Sequence, residues 1–257
     1  MTKYTILLSI LLLSVLTACE EVISIDYKTS SSQVVIEGNV YDKAGPYTIK
    51  ISKSVAMDAP GVYPPVTGAT VTISDNAGNA EVLAEKDSGT YKTSNLQGTP
   101  GRTYTLTVTT GGQTYTASST MPFPVEIDTL YSSKMNGSEM HQINVDFIDP
   151  ADIKNYYRLV DIVNGKPLGN DLVTSDELSQ GKKIEGTLVY DEEDLKVGDT
   201  LTLWLETVDK GVYTYFNTAS LSNQDSATPA NPVSNISNKA LGYFNACAVR
   251  KKSIVIP

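Results

Sequence analysis

The sequence has few of the side chains that usually build metal and redox centres. Its 257 residues include one histidine and two cysteines, too few for a conventional zinc, iron–sulfur or haem site. Basic residues are also scarce, since 20 Lys and Arg stand against 29 Asp and Glu and give a formal net charge of −9. Affinity for nucleic acids depends mainly on basic side chains that neutralise phosphates. We therefore expect no metal, no cofactor and no nucleic-acid partner.

Long hydrophobic runs are missing from most of the chain. The one run of note covers residues 6–16 and follows Lys3 near the amino terminus. A membrane-spanning helix needs ~20 apolar residues, so this shorter run is typical of a signal peptide. The composition of the whole chain, with 40% hydrophobic and 19% charged residues, is that of a folded protein with a hydrophobic core.

The signal peptide ends in a short motif, Leu16-Thr17-Ala18-Cys19. An aliphatic residue, two small residues and a cysteine resemble the bacterial lipobox. That resemblance implies that residues 1–18 are removed, that Cys19 carries the lipid, and that residues 19–32 are the acylated cysteine and its linker. The alternative is an ordinary signal peptide with a nearby cysteine.

Alternating apolar and polar residues predict a first β-rich domain over residues 33–122. In one strand Tyr104, Leu106 and Val108 alternate with threonines, as expected where one face is buried and the other is solvated. Glycine- and asparagine-rich turns separate the segments. These features indicate an immunoglobulin-like β-sandwich. Further predicted strands cover residues 34–40, 47–52 and 70–74.

A second β-rich domain is predicted for residues 123–257. Pro122 and Pro124 mark the boundary, because proline interrupts strand pairing. Strands are expected at residues 156–163, 184–190, 200–208 and 241–256. Between the last two, apolar residues recur at helical spacing over residues 209–221, so one short helix should pack near this second sandwich-like segment. The apolar positions are Val212, Tyr215, Phe216 and Ala219.

Several of these segments together resemble a known family. They are residues 65–73 and 101–106 in the first domain, and Ser234-Asn235-Ile236 with Gly242-Tyr243-Phe244 in the second. With the lipobox, they resemble the Bacteroidota lipoprotein family called domain of unknown function 4249. Members are often encoded beside TonB-dependent outer-membrane transporters. The resemblance implies an accessory role at such a transporter and no established chemistry.

The predicted location is the outer membrane, through the lipid on Cys19. Two acidic residues, Glu20 and Glu21, follow this cysteine directly. They resemble the export signal that sends Bacteroidota lipoproteins to the cell surface, which we favour over the periplasmic face. On this interpretation the partners are the membrane, through the lipid anchor, and a TonB-dependent transporter.

No group of residues predicts catalysis. Nucleophilic devices of the Ser–His or Cys–His kind need a histidine base, and His141 is expected to be an exposed residue at a strand end. Cys247 lies in an apolar stretch and is predicted to be a buried structural thiol. Asp149 and Asp152 lack the dense ligand spacing of a calcium loop, and the acidic run over residues 191–194 resembles a solvated turn. We expect no enzyme activity and no catalytic residue.

Aromatic residues are the best candidates for ligand contact. By strand alternation Trp204 lies opposite the leucines of residues 200–208, so either another element covers it or a ligand stacks on it. Tyr213 and Tyr243 belong to the segments expected nearby, and they complete the candidate ligand-binding set. The proline-containing loop over residues 56–65 could bind a partner or be a rigid connector.

The sequence therefore predicts an outer-membrane lipoprotein that binds a ligand, without catalysis, as an accessory of a TonB-dependent nutrient uptake system. The alternative is a structural or adhesive envelope lipoprotein with no transport role. A hydrolase that uses paired carboxylates is the third possibility, although nothing singles out a pair.

Overall fold

The computed structural model describes residues 32–56, 61–134, 140–169, 172–223 and 231–257. Cys19 and the rest of residues 1–31 therefore lie outside the described residues. The strands of the first half are β1 Val34–Tyr41, β2 Thr48–Lys53, β3 Thr70–Asp75, β4 Ala80–Val82, β5 Ala84–Asp87, β6 Thr90–Lys92, β7 Thr103–Thr110 and β8 Gln113–Thr120. The second half contains β9 Thr129–Lys134, β10 His141–Ile148, β11 Tyr156–Val163, β12 Lys166–Pro167, β13 Leu172–Ser175, β14 Lys183–Tyr190, β15 Thr200–Val208, the helix α1 Lys210–Asn223 and β16 Leu241–Val255.

One long sheet connects the two halves of the chain. Its order is β12-β11-β15-β16-β1-β2-β6-β5, and β13 also pairs with β11. The last strand, β16, pairs in parallel with β1 through residues 241–247 and antiparallel with β15 through residues 248–255. Residues 32–257 form one compact unit. The domain division at residue 122 stays a prediction, and the long sheet passes through both predicted segments.

Two smaller sheets pack on one face of the long sheet. The order of the four-stranded sheet is β4-β3-β7-β8, and that of the three-stranded sheet is β14-β10-β9. Each encloses its own hydrophobic core against the long sheet. The first core includes Ile36, Ile49, Val71, Leu106 and Phe244, and the second includes Ile143, Phe147, Leu159, Leu203 and Ile256. The protein is thus mainly β, as predicted.

Alternation explains why these segments form strands. In β7 the side chains of Tyr104, Leu106 and Val108 are buried, whereas the intervening threonines face outward. Thr105 and the preceding Thr103 hydrogen-bond with hydroxyls of β8 at 3.1 and 2.8 Å. Cross-strand pairs of this kind stabilise a sheet beyond its backbone ladder.

The helix α1 confirms the prediction for residues 209–221 to within two residues. Asp209 caps its amino terminus, because one carboxylate oxygen accepts the Val212 amide at 2.9 Å. The other oxygen accepts the Thr120 amide of β8 at 3.0 Å, which ties the start of the helix to the four-stranded sheet. Across the described ranges, no helix combines the length and apolar character that a membrane crossing requires.

Asp75 organises the turn between β3 and β4. Its carboxylate accepts the amides of Ala77 and Asn79 at 3.0 and 2.9 Å, the Asn79 side chain at 2.9 Å, and the Arg102 guanidinium at 2.8 Å. Burial alone would raise the pKa of Asp75. The hydrogen bonds from Asn79, Arg102 and Ala77 outweigh burial and lower the pKa from 3.8 to about 2.

Asp75→Asn should therefore make stability less dependent on pH. A carboxyl whose pKa is lowered by folding stabilises the protein above its unfolded pKa and loses this contribution as pH falls through its folded pKa. We expect the variant to be less stable at pH 7 by about 1–3 kcal/mol, because hydrogen bonds to a charged acceptor are lost. The difference in the free energy of unfolding between wild type and variant, measured by urea unfolding, should narrow between pH 4 and pH 2. Asp191→Asn, in an exposed turn, is the control, and a difference that stays constant with pH would contradict the interpretation.

Candidate functional site

The candidate site lies on the face of the long sheet opposite the two smaller sheets, which we call the outer face. Helix α1 covers part of it and brings aromatic rings onto the sheet. Tyr243 of β16 packs against Tyr215 and Phe216 of α1, with ring centroids 5.0 and 4.8 Å apart. Tyr213 packs instead against Tyr156 of β11, at 4.9 Å. Two of the three predicted ligand-binding residues, Tyr213 and Tyr243, therefore lie beneath or on the helix.

The third predicted residue, Trp204, is half-buried on the same face. Tyr41 and Trp204 form a T-shaped pair with ring centroids 6.2 Å apart, and the Lys251 ammonium lies over the Trp204 ring, 3.5 Å from its centroid. Burial lowers the pKa of Lys251, and the nearby charge of Lys43 lowers it further. The tryptophan thus has a cation on its ring face and a second aromatic at its edge.

A buried ion pair holds the sheet and helix together beneath these rings. Arg158 of β11 donates from Nη1 to Oε2 of Glu206 on β15 at 2.9 Å, and their side chains are 10% and 1% exposed. The Arg158 guanidinium also lies over the Phe216 ring of α1, 3.9 Å from its centroid. Asn245 of β16 donates from Nδ2 to the same Glu206 oxygen at 3.3 Å and to Asn39 of β1 at 3.1 Å. The network therefore links four strands of the sheet.

Cys247 is fully buried in this region, as predicted. The Asn245 side chain donates to its sulfur at 3.3 Å. Burial, reinforced by the negative charge of Glu206, raises the pKa of the thiol well above its usual value. A protonated thiol without solvent access fits a structural role and not that of a nucleophile.

A groove opens on the outer face beside α1. Its cavity volume is about 290 Å³, near the lower end of the range for small-molecule sites, ~300–1,000 Å³. Strands β1, β2 and β16 supply its floor, and the helix and two loops supply its walls. The polar and aromatic residues of its lining are Glu37, Ser52, Ser54, Tyr63, Tyr215 and Asn231.

Parallel pairing of β1 with β16 builds the floor of this groove. Glu37 lies beside Tyr243 in the register of these two strands and opposite Lys50 of β2. Burial raises the pKa of Tyr243 against the opposing effects of the Arg158 charge and the Asn39 hydrogen bond, and the charge of Glu37 adds to the rise. None of the three predicted ligand-binding residues is in the described lining, although Tyr243 directly follows the lining residue Gly242 and packs against Tyr215.

Tyr63, in the described end of the loop over residues 56–65, lines the groove. Residues 57–60 lie outside the described residues. The described end is fixed, because the Pro64 carbonyl accepts the Lys53 amide at 2.9 Å, and Pro65 forms a bridge with Ser52. Val62 and Tyr63, which precede these two prolines in the chain, are 75% and 61% exposed. A large aromatic ring is thus held at the mouth of the groove by a well-anchored backbone.

The prediction for His141 is wrong, because the side chain is only 2% exposed. It is the first residue of β10, and strand alternation places it on the core-facing side with Ile143 and Val145. Asp149, also considered for calcium, is buried. It accepts hydrogen bonds from the Tyr157 hydroxyl and from the Gly181 amide. Within the described ranges no cluster of histidine, cysteine and carboxylate residues could hold a metal ion.

The protein is thus built from β-sheets and has a small groove with tyrosine residues in its walls. The family described as domain of unknown function DUF4249 matches residues 20–253, nearly the whole sequence, and the chain belongs to this family. A search of curated proteins found no match to the chain.

Proposed function

We propose that the protein is an outer-membrane lipoprotein that binds a ligand in the groove between α1 and the long sheet and presents it to a TonB-dependent transporter. The observation that carries the binding role is the groove itself, a preformed cavity of about 290 Å³. The anchor is supported by the lipobox that ends at Cys19, and the transporter by the context in which this family's lipoproteins are often encoded.

The construction of the groove suits recognition. Its floor consists of hydrogen-bonded strands, so little conformational entropy is lost when a ligand binds. Tyr63 and Tyr215 offer large rigid apolar faces with polar tips, which contribute contact area at low entropic cost. Ser52, Ser54 and Asn231 add hydroxyl and amide groups that can fix the orientation of a ligand.

Cys19→Ala should move the protein from the membrane to the soluble fraction. Without the thiol no acyl chain can be attached, and each buried methylene that is lost removes ~0.8 kcal/mol of membrane affinity. The measurement is fractionation with palmitate labelling. Cys247→Ala is the matched control and should keep both the label and the membrane association, because that thiol is buried. Label retained by Cys19→Ala would contradict lipidation at this residue.

Affinity purification of the full chain from native membranes in mild detergent tests the transporter role. A TonB-dependent transporter should co-purify with the wild type and be depleted with Cys19→Ala, which is not held at the membrane. If no transporter is recovered, and deletion of the protein leaves nutrient uptake unchanged, the accessory role is wrong and the adhesive alternative is favoured.

A further inference from the structure

We propose that the groove binds a positively charged organic group, an ammonium or guanidinium, carried by the ligand. The inference rests on the proposed binding function and names the chemistry of its ligand. It depends on three observations at one place: a floor carboxylate with no partner among the described residues, tyrosine rings in the walls, and the charge of the described lining.

The carboxylate is that of Glu37, which is exposed to the groove on β1. Among the described residues it forms no ion pair or hydrogen bond, although Lys50 lies directly opposite on β2. By contrast, the carboxylates of Asp75 and Glu206 are each held by two or more donors. Glu37 therefore keeps its hydrogen-bonding capacity for a molecule that enters the groove.

Glu37 is the one charged side chain in the described lining, and Lys50, opposite it on β2, is not part of that lining. The whole chain adds to the negative field of Glu37, with a formal charge of −9. A field of this sign attracts cations and opposes the approach of anions. Phosphate- or carboxylate-bearing ligands are thus disfavoured.

The tyrosines supply the second half of a cation site. Tyr63 stands exposed at the mouth, and Tyr215 lies in the wall where it packs against Tyr243. The face of an aromatic ring attracts a cation within ~6 Å of its centroid, and aromatic cages for ammonium groups combine such faces. The outer face already contains two contacts of this type, Lys251 on Trp204 and Arg158 on Phe216.

A neutral sugar is the competing ligand, because sugars also stack on tyrosine and hydrogen-bond to serine and asparagine. A sugar hydroxyl can also donate to Glu37, but only a cation adds a charge–charge attraction to that hydrogen bond. A cation satisfies the carboxylate and the ring faces together, so the cation is favoured.

Isothermal titration of the full lipidated chain in detergent micelles tests the proposal. The probes are L-argininamide as the cation, cellobiose as the neutral sugar and L-glutamate as the anion. Argininamide should bind, and its affinity should fall with rising salt because an ion pair contributes. Glu37→Gln should weaken it by about 10- to 100-fold, the range for a hydrogen bond to a charged group. Lys50→Gln should strengthen it, because a competing positive charge is removed.

Glu192→Gln is the matched control, since Glu192 lies in an exposed turn away from the groove, and it should leave affinity unchanged. Tyr63→Ala should weaken argininamide binding without lowering the melting temperature. Failure of argininamide to bind, or equal affinity in Glu37→Gln, would overturn the cation proposal. Binding of cellobiose that is insensitive to Glu37→Gln would also overturn it while leaving the binding function intact. Failure of the transporter role would show separately, in the co-purification experiment.

Discussion

Gly242→Ala should be among the most destabilising single substitutions in the protein. A Cβ at this position would lie 2.0 Å from the Ile36 carbonyl oxygen and 2.8 Å from its carbonyl carbon. These are backbone atoms of β1, so no side chain can rotate away to make room. The residue also has φ +90°, a conformation that side-chain-bearing residues rarely adopt. The strands β1 and β16 must separate where they join the two halves of the long sheet.

We expect the free energy of unfolding to fall by more than about 3 kcal/mol, since strain and steric overlap add. For a chain of this size, that corresponds to a melting temperature lower by about 6–12 °C. The measurement is thermal and urea unfolding of the full chain.

The sequence offers a matched control for this prediction. Gly78 also has φ +90°, but a Cβ there would meet nothing within 4 Å. Gly78→Ala therefore introduces the backbone strain without the steric overlap. Its free energy of unfolding should fall by only about 1–2 kcal/mol. The difference between the two variants isolates the close approach of β1 and β16. Equal losses in the two variants would show that the overlap contributes nothing.

Strands in which apolar and polar side chains alternate could be predicted closely from the sequence. The boundaries expected for residues 156–163 and 200–208 coincide with β11 and β15. In these segments the alternation of apolar and polar side chains is a local signal that tertiary contacts reinforce. Short edge strands such as β4 and β12 carry little such signal, because only two or three residues pair and most are solvent-exposed.

The pairing that joins the two halves of the long sheet could not be predicted from local alternation. It depends on β1 pairing in parallel with β16, across about 200 residues of chain. The sequence shows that both segments are strands but contains no local signal of which strands are neighbours. Gly242 belongs to the motif that resembles the family, whereas its physical role depends on the close approach of Ile36 in the folded protein.

The groove was missed for the same reason. Glu37, Tyr63 and Tyr215 come from a strand, a loop and a helix far apart in sequence, and only the tertiary fold brings them together. The sequence did indicate the importance of aromatic residues on the outer face, and Tyr243 adjoins the groove. His141 was misplaced although alternation with Ile143 and Val145 could have shown that it faces the core.

Replacing one member of the Arg158–Glu206 pair should cost far more than replacing both. Arg158→Met or Glu206→Leu alone leaves a charge in a region where the remaining side chain is almost fully buried. Loss of one partner from a buried ion pair typically costs about 3–5 kcal/mol, because the other charge is uncompensated. The double variant removes both charges together with their desolvation penalty, so its loss should be much smaller than the sum of the two single losses.

A double-mutant cycle in urea measures this coupling, and we expect it to exceed about 2 kcal/mol. The exposed pair Lys154–Glu177 is the control. Its 2.9 Å separation is the same, but its side chains are 54% and 66% exposed, so solvent should reduce the coupling to less than about 1 kcal/mol. Similar coupling in the two pairs would contradict the assigned role of burial. Because Arg158 also contacts Phe216, the single variant Arg158→Met should in addition loosen α1. Faster amide exchange in the helix, relative to the three-stranded sheet, would show that the buried pair positions the wall of the groove.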